Sequence, residues 1–573
     1  MEDVAKGYYR ELIWRSFLQP SPYEARQVRC TMHDLFRVLA MFLVGDESLL
    51  GDPQAAPSNT SMIKLRHLTI SSNRESVSIP HLDCLRRLWL YTPPSLDTQV
   101  IGGLKHLRVL TLCGDKIENI PDSIGDLLHL RLLNLGGTKI CKLPDSLGNL
   151  INLQFLLLSD CESLYILPRS ITRLCNLRRL NLKYTPLNYV PRGIGKLEHL
   201  NHVSGFIVED NGGDGEGCNL EELQMLKNLS HLDIDKLEKA SKSTPVLLNK
   251  PRLKTVMLRC TPDSGGHNQQ QEMDEIVQVF DELCPPPSLD DLVIENFFGG
   301  RYPRWMLSNS FSTAFLELTY LQLRDCANCP QLPQLGQLPQ LKYLRIKGAT
   351  AVVSIGPEFL GNGELAASAF PNLEYLVFLD MINWEEWSLT SGEGDNEHES
   401  SRLLLFPRLR KLFIDNCPKL KDLPSGLNRA NIPHLFIRSA HSLSRVSYLP
   451  ALKELEVYDC PMLKCVEKLE SLQSLTLFDQ QENNTILPQW LILFLLQRER
   501  PHYDRFILHL VCSAQALHDC LQGHRYWLLL QQVPRFTAYT VNQDMYLKYT
   551  KEPYYYETNI TDEDQEHEIL SLN

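Results

Sequence analysis

Apolar positions recur along the chain at a fixed step. Between Leu104 and Leu200 a leucine opens a short apolar cluster at Leu107, Leu130, Leu153, Leu177 and Leu200, with steps of 23, 23, 24 and 23 residues. The clusters read Leu-x-x-Leu-x-Leu, as in Leu107, Leu110, Leu112 and in Leu130, Leu133, Leu135. The first four are each followed by an apolar residue and a proline: Ile120-Pro121, Leu143-Pro144, Leu167-Pro168, Val190-Pro191. Alternation within a cluster predicts a short strand whose side chains point in and out by turns. Proline ends regular structure, so the chain returns through a turn or a short helix. One long amphipathic helix would need a 3.6-residue period, and the prolines exclude it.

No unit can bury its leucines alone, so the units must stack. A period of roughly 20–29 residues with this internal pattern is that of leucine-rich repeats. The predicted fold class is α/β: a leucine-rich-repeat solenoid, a horseshoe with a parallel sheet on its concave face. Two opening units precede the regular block, at Leu65/Leu68/Ile70 and Leu85/Leu88/Leu90. Looser units follow, among them Leu229/Leu232/Ile234, Leu341/Leu344/Ile346, Leu409/Leu412/Ile414 and Leu472/Leu475/Leu477. Insertions at Asn211 to Gly217 and Ser391 to Ser401 are predicted as exposed loops. Cys161, Cys326, Cys417 and Cys460 each sit three residues past a strand, preceded by Asp or Asn. That is a buried ladder position; Cys326-x-x-Cys329 has no second ligand pair at zinc spacing.

Composition sharpens the function classes. The 573 residues carry 57 Lys and Arg against 69 Asp and Glu, a net charge of −12. Nucleic-acid binders usually show a basic excess, so DNA and RNA are not expected partners. The start has no basic and apolar leader, and the apolar run Leu491 to Leu496 is too short to span a bilayer. The expected compartment is the cytosol, with the nucleus as a second one, where thiols stay reduced. No nucleophile elbow, metal cluster or phosphate loop is present, so no catalytic residue, metal or enzymatic activity is expected.

Residues 1–48 lack the repeat. Apolar positions at helical spacing (Ala5, Tyr8, Leu12 and Phe17; Leu35, Leu39 and Phe42) predict two helices, with Ser21-Pro22 and the basic run Arg26 to Arg29 between them. Glu2 to Tyr9 and Glu11-Leu12 to Gln19 resemble the winged-helix segment of plant nucleotide-binding leucine-rich-repeat disease resistance proteins of the coiled-coil type. Met32-His33-Asp34-Leu35 is similar to that family's Met-His-Asp motif, in its place just ahead of the repeats. Phe206-Ile207-Val208, Tyr302-Pro303-Arg304-Trp305-Met306 and Trp384-Glu385-Glu386-Trp387 resemble stretches of its repeat domain. The likeness covers about residues 1 to 480. It implies an intracellular immune receptor in which Met32, His33 and Asp34 sense nucleotide: His33 reads bound ADP and Asp34 orients its loop. The family's ADP/ATP cofactor needs a Gly-x-x-x-x-Gly-Lys-Ser/Thr loop, which this sequence lacks. The expectation is therefore a receptor truncated at its N-terminus, without cofactor, whose His33 packs within an incomplete domain.

The domain reading is a partial winged-helix segment at 1–48, repeats at 49–485, and a helical cap with an acidic tail at 486–573. Ile507, Leu510, Val511, Ala514, Leu517 and Leu521 suggest an amphipathic helix in that cap. Binding is expected on the concave face, at strand positions flanking the leucines. The later units are rich in aromatic and charged residues there: Tyr343, Arg345, Lys347, Tyr375, Lys411, Phe413, Glu454, Glu456, Tyr458 and Phe478. Aromatics so placed make good interface anchors, and on neighbouring strands they are expected to form one continuous stripe. The expected partners are proteins, a pathogen effector or guarded host protein, with a nucleotide-binding domain as a further contact. The alternative is a leucine-rich-repeat substrate adaptor or scaffold.

Overall fold

The computed structural model describes residues 2–20, 30–32, 34–50, 64–71, 84–91, 98–209, 215–240, 245–262, 270–308, 311–361, 368–389, 404–479, 486–497 and 503–560. The chain divides into two units, Met1–Leu200 and Asn201–Asn573.

In the first unit, helices Glu2–Trp14 and Asp34–Val44 appear where the apolar spacing put them. Short strands Leu18–Pro20 and Cys30–Met32 pair antiparallel. The segment from Ser21 to Arg29 lies outside the described residues, as does His33. Parallel strands then follow one another in register: Ser48–Leu50, His67–Ser71, Arg87–Tyr91, Val109–Cys113, Leu132–Asn134, Phe155–Leu157 and Arg179–Asn181. Each pairs the second leucine of one cluster with that of the next, so Leu110, Leu133, Leu156 and Leu180 align and are fully buried. The prolines act as read: 3-10 turns Asp122–Asp126, Asp145–Asn149 and Arg169–Arg173 each begin directly after one. These arcs pack so closely that a Cβ on Gly148 would lie 2.6 Å from Ser170 Cβ.

The residue that leaves each strand has a left-handed backbone: Gly137, Asp160, Asp325, Gly348, Asn416 and Asp459 have φ of 72°, 59°, 54°, 65°, 53° and 49°. Glycine, Asn and Asp tolerate that conformation best. This accounts for the Asp or Asn before each ladder cysteine. Cys161, Cys326 and Cys417 are fully buried, and Cys460 is partly buried. Burial pushes the Cys326 and Cys417 thiols up to about 12 and Cys460 to about 11. Cys329 is buried too, its thiol donating to the Gly299 carbonyl.

In the second unit the parallel ladder runs from His202–Ile207 through His231–Asp235, Thr255–Arg259, Asp291–Glu295, Tyr320–Arg324, Tyr343–Lys347, Tyr375–Leu379, Lys411–Asp415, His434–Arg438, Glu454–Tyr458 and Ser474–Phe478. Larger side chains thicken the core here: Phe378, Trp384 and Trp387 meet at 4.8 to 5.4 Å, and Tyr302 lies beside Phe297. Both tryptophan-bearing stretches of the sequence are thus core pieces, with Trp305 Nε1 donating to the Phe280 carbonyl at 2.8 Å. The insertion Ser391 to Ser401 lies outside the described residues, as does most of Asn211 to Gly217.

Two expectations for the C-terminal part are corrected. Ile507–Cys512 is a strand rather than a helix, paired parallel to Ser474–Phe478, and Arg535–Thr540 extends the ladder beyond it. The alternation Leu508, Leu510, Cys512 facing inward decides this, because a period of two fits a strand exposed on one face. The cap is a pair of antiparallel strands, Tyr546–Thr550 and Tyr555–Thr558, with a short apolar helix at Gln489–Leu496 in an earlier outer arc. Tyr555 and Tyr556, within the stretch expected as an acidic tail, belong to the last strand; 561–573 lie outside the described residues.

Candidate functional site: the exposed strand face

Every described strand from Tyr320 to Phe478 in the ladder buries its second and fourth residues and turns its first, third and fifth to the opposite side, where Gln322 and Phe436 are themselves buried. The register lines these up in three columns. The first runs Tyr320, Tyr343, Tyr375, Lys411, His434, Glu454 and Ser474. The second runs Gln322, Arg345, Val377, Phe413, Phe436, Glu456 and Thr476. The third runs Arg324, Lys347, Leu379, Asp415, Arg438, Tyr458 and Phe478. All ten of the sequence-named residues stand on these columns.

The aromatics form two clusters rather than one stripe. Tyr320 and Tyr343 stack at 4.6 Å, and Tyr343 meets Tyr375 at 6.2 Å. Farther along, Phe413 stacks on Phe436 at 4.1 Å, Phe436 meets Tyr458 at 5.0 Å, and Tyr458 meets Phe478 at 5.5 Å. The break falls between Tyr375 and Phe413, because Phe413 stands one column farther in and Tyr375 has Lys411 opposite it. Tyr320 and Phe436 are additions. The Phe436 unit is Ile432-x-x-Leu435-x-Ile437, and without a leading leucine it escaped the repeat reading.

Charge is treated differently in the two clusters. Around the phenylalanines, Lys411 Nζ lies 4.8 Å over the Phe413 ring and 3.7 Å from Glu456. Arg438 lies over Phe436 and forks onto Asp415. The Tyr458 hydroxyl donates to Glu456 at 3.2 Å, and His434 Nδ1 is 2.7 Å from Glu454. Burial, and then the Glu456 carboxylate, push the Tyr458 hydroxyl above its ordinary value. Around the tyrosines, Lys347 stands 3.9 Å from Asp325 and 3.8 Å from Asp380. Upstream, Arg259 is held by Asp235 and Glu295, each at 3.1 Å, and Arg324 reaches Glu295 at 3.8 Å. Arg345 Nε is buried with no acceptor among the described residues. Such alternating cross-strand pairs stiffen the face and fix which charges are available.

The Met-His-Asp motif lies elsewhere, in the first unit. Met32 ends a strand and is more than a third exposed; Asp34 opens the following helix and pairs with Arg37 at 3.2 Å. A carboxylate in a first helical turn is favoured by the helix dipole. Phe17 and Phe36 meet at 4.5 Å, yet Trp14, Leu35, Phe42 and Leu43 are 82%, 70%, 80% and 74% exposed. The two helices therefore present apolar faces that no described residue covers. Among the described residues, no helix is long and apolar enough to cross a membrane.

Comparison with known proteins agrees with this architecture. The family model described as "Leucine-rich repeat region" matches residues 85–390, and "Disease resistance protein Winged helix domain" matches residues 1–40. A protein of Arabidopsis thaliana named for disease resistance, At3g14460, is 31% identical over 74% of this chain and 30% of its own length. RGA4 of Solanum bulbocastanum, likewise named for disease resistance, is 30% identical over 73% of this chain and 38% of its own length. The chain thus spans about a third of these relatives. A solved leucine-rich-repeat protein of Leptospira interrogans is 19% identical, covering 73% of this chain and 91% of its own, with a TM-score of 0.41. By its repeats the chain belongs to the leucine-rich repeat family, and it carries ahead of them a segment similar to the winged-helix domain of disease resistance proteins.

Proposed function

We propose that this chain is the recognition part of an intracellular plant immune receptor, which binds a pathogen effector or a guarded host protein on its exposed strand face. The observation that carries this reading is the pair of aromatic clusters standing on that face between Tyr320 and Phe478. A strand face needs no large rings toward solvent for its own stability, and rigid aromatics bury much area at small entropic cost when a partner arrives. The named resistance proteins similar to it support the immune setting. The uncovered apolar helices beside Met32 and Asp34 support a second contact, with a nucleotide-binding domain in the same or another chain. The cytosol is the compartment in which such a contact is available.

The test uses proximity labelling in plant cells to recover partners, followed by binding measurements on the purified chain and each recovered protein. Tyr375, Phe413 and Tyr458 are changed together to alanine. Loss of at least about a hundredfold in affinity, with an unchanged circular dichroism spectrum, is expected if these rings are interface anchors. Unchanged affinity for every partner rejects the strand face as the recognition surface. Partners consisting of ubiquitin-ligase subunits would favour the substrate-adaptor reading instead.

A further inference from the structure

Resting on the strand-face reading, we propose that Arg345 with the Tyr320–Tyr343–Tyr375 column forms the anchor for an acidic side chain of the recognised protein. Other cations around the two clusters already have acidic partners. Lys347 stands between Asp325 and Asp380, Arg324 reaches Glu295, Lys411 reaches Glu456, and Arg438 forks onto Asp415. Arg345 has no such partner among the described residues, and its Nε is buried away from water. Beside it, in register on the adjacent strand, Gln322 is 1% exposed and its Oε1 accepts from no described donor.

A carboxylate suits the planar guanidinium because both its oxygens can accept. The three tyrosines run along the first column beside Arg345, Tyr320 stacked on Tyr343 at 4.6 Å and Tyr375 tilted against Tyr343 at 6.2 Å. With Arg324 and Lys347 already facing Glu295, Asp325 and Asp380, Arg345 is the cation here that an acidic partner side chain would match. The phenylalanine cluster has its cations neutralised internally and supplies apolar contact.

The test selects random dodecapeptides displayed on phage against the full chain, then titrates the synthesised winners by fluorescence polarisation. Winners are expected to carry Asp or Glu. Replacing that residue by its amide, or making Arg345→Gln, should each weaken binding roughly tenfold or more, and the two losses should not add. Selection against Arg345→Glu should instead enrich Lys or Arg, a reversal that a merely structural arginine would not produce. Arg173→Gln, an exposed cation in the outer turn Arg169–Arg173, is the control and should leave affinity unchanged; melting curves confirm that each variant folds. Winners without an acid, no winners, or affinity indifferent to Arg345→Gln overturn the anchor. If the Tyr375, Phe413 and Tyr458 triple variant still abolishes binding, only the anchor falls. If neither change matters, the strand-face reading falls with it.

Discussion

Replacing Leu133 by Asp probes the repeat core at its most regular point. Leu133 is fully buried, and its register partners on the adjacent strands, Leu110 and Leu156, are fully buried as well. Truncating a leucine in such a site costs about 2–5 kcal/mol through lost transfer energy and the cavity left behind. An aspartate adds a carboxylate with no cation beside it, a further penalty of several kcal/mol. The sum is comparable with the roughly 5–15 kcal/mol that holds a domain folded. Asn134→Asp, one residue along, is the matched control. Asn134 is half-buried and its Oδ1 accepts from the Gly136 N–H at 3.1 Å, a bond that a carboxylate keeps. Its cost should stay within about 0.5 kcal/mol. Because repeats contact mainly their neighbours, the damage should be local. Hydrogen exchange read by mass spectrometry should show lost protection from Leu107 to Leu182 in Leu133→Asp, with protection retained from Lys411 to Phe478. Equal protection in the two variants would refute the strand register.

Lys250 is buried with Nζ donating to the Leu223 and Leu226 carbonyls, and desolvation lowers its pKa from 10.5 to about 8. Between those values the unfolded chain holds a proton that the folded chain does not, so this group adds stability as pH rises from about 8 toward 10.5. The unfolding free energy of the native chain minus that of Lys250→Met should increase across this window, and a flat difference would contradict the burial. In Gly148→Ala the new Cβ would lie 2.6 Å from Ser170 Cβ and 2.8 Å from its carbonyl oxygen; denaturant titration should show a loss of about 1–3 kcal/mol. Thiol labelling of the native protein at pH 8, mapped by mass spectrometry, should modify exposed Cys84, Cys141 and Cys175 and leave Cys326 and Cys417 unmodified until denaturant is added.

The sequence by itself determined the repeat, its strand register and the inward leucines. These follow from local chemistry repeated at a constant step: alternation makes a strand, proline begins the outer arc, and Asp, Asn or glycine takes the left-handed residue that leaves the strand. The columns that present Tyr343, Arg345, Phe413 and Tyr458 to solvent follow from that same alternation. Legibility ended where a unit lost its leading leucine. Ile432 before Leu435 and Arg505 before Leu508 hid two strands, and the latter segment was read as a helix because its apolar residues fit either period. Only tertiary structure decided which rings touch and which charges are taken. Tyr375 and Phe413 are similar residues on neighbouring strands, yet they stand in different columns and join different clusters. Arg438 and Arg345 are identical side chains on the same face, yet Asp415 neutralises one while the Nε of the other has no acceptor among the described residues. Such differences depend on neighbours about 20 or more residues away in sequence, brought within about 5 Å by stacking, and no local pattern encodes that pairing.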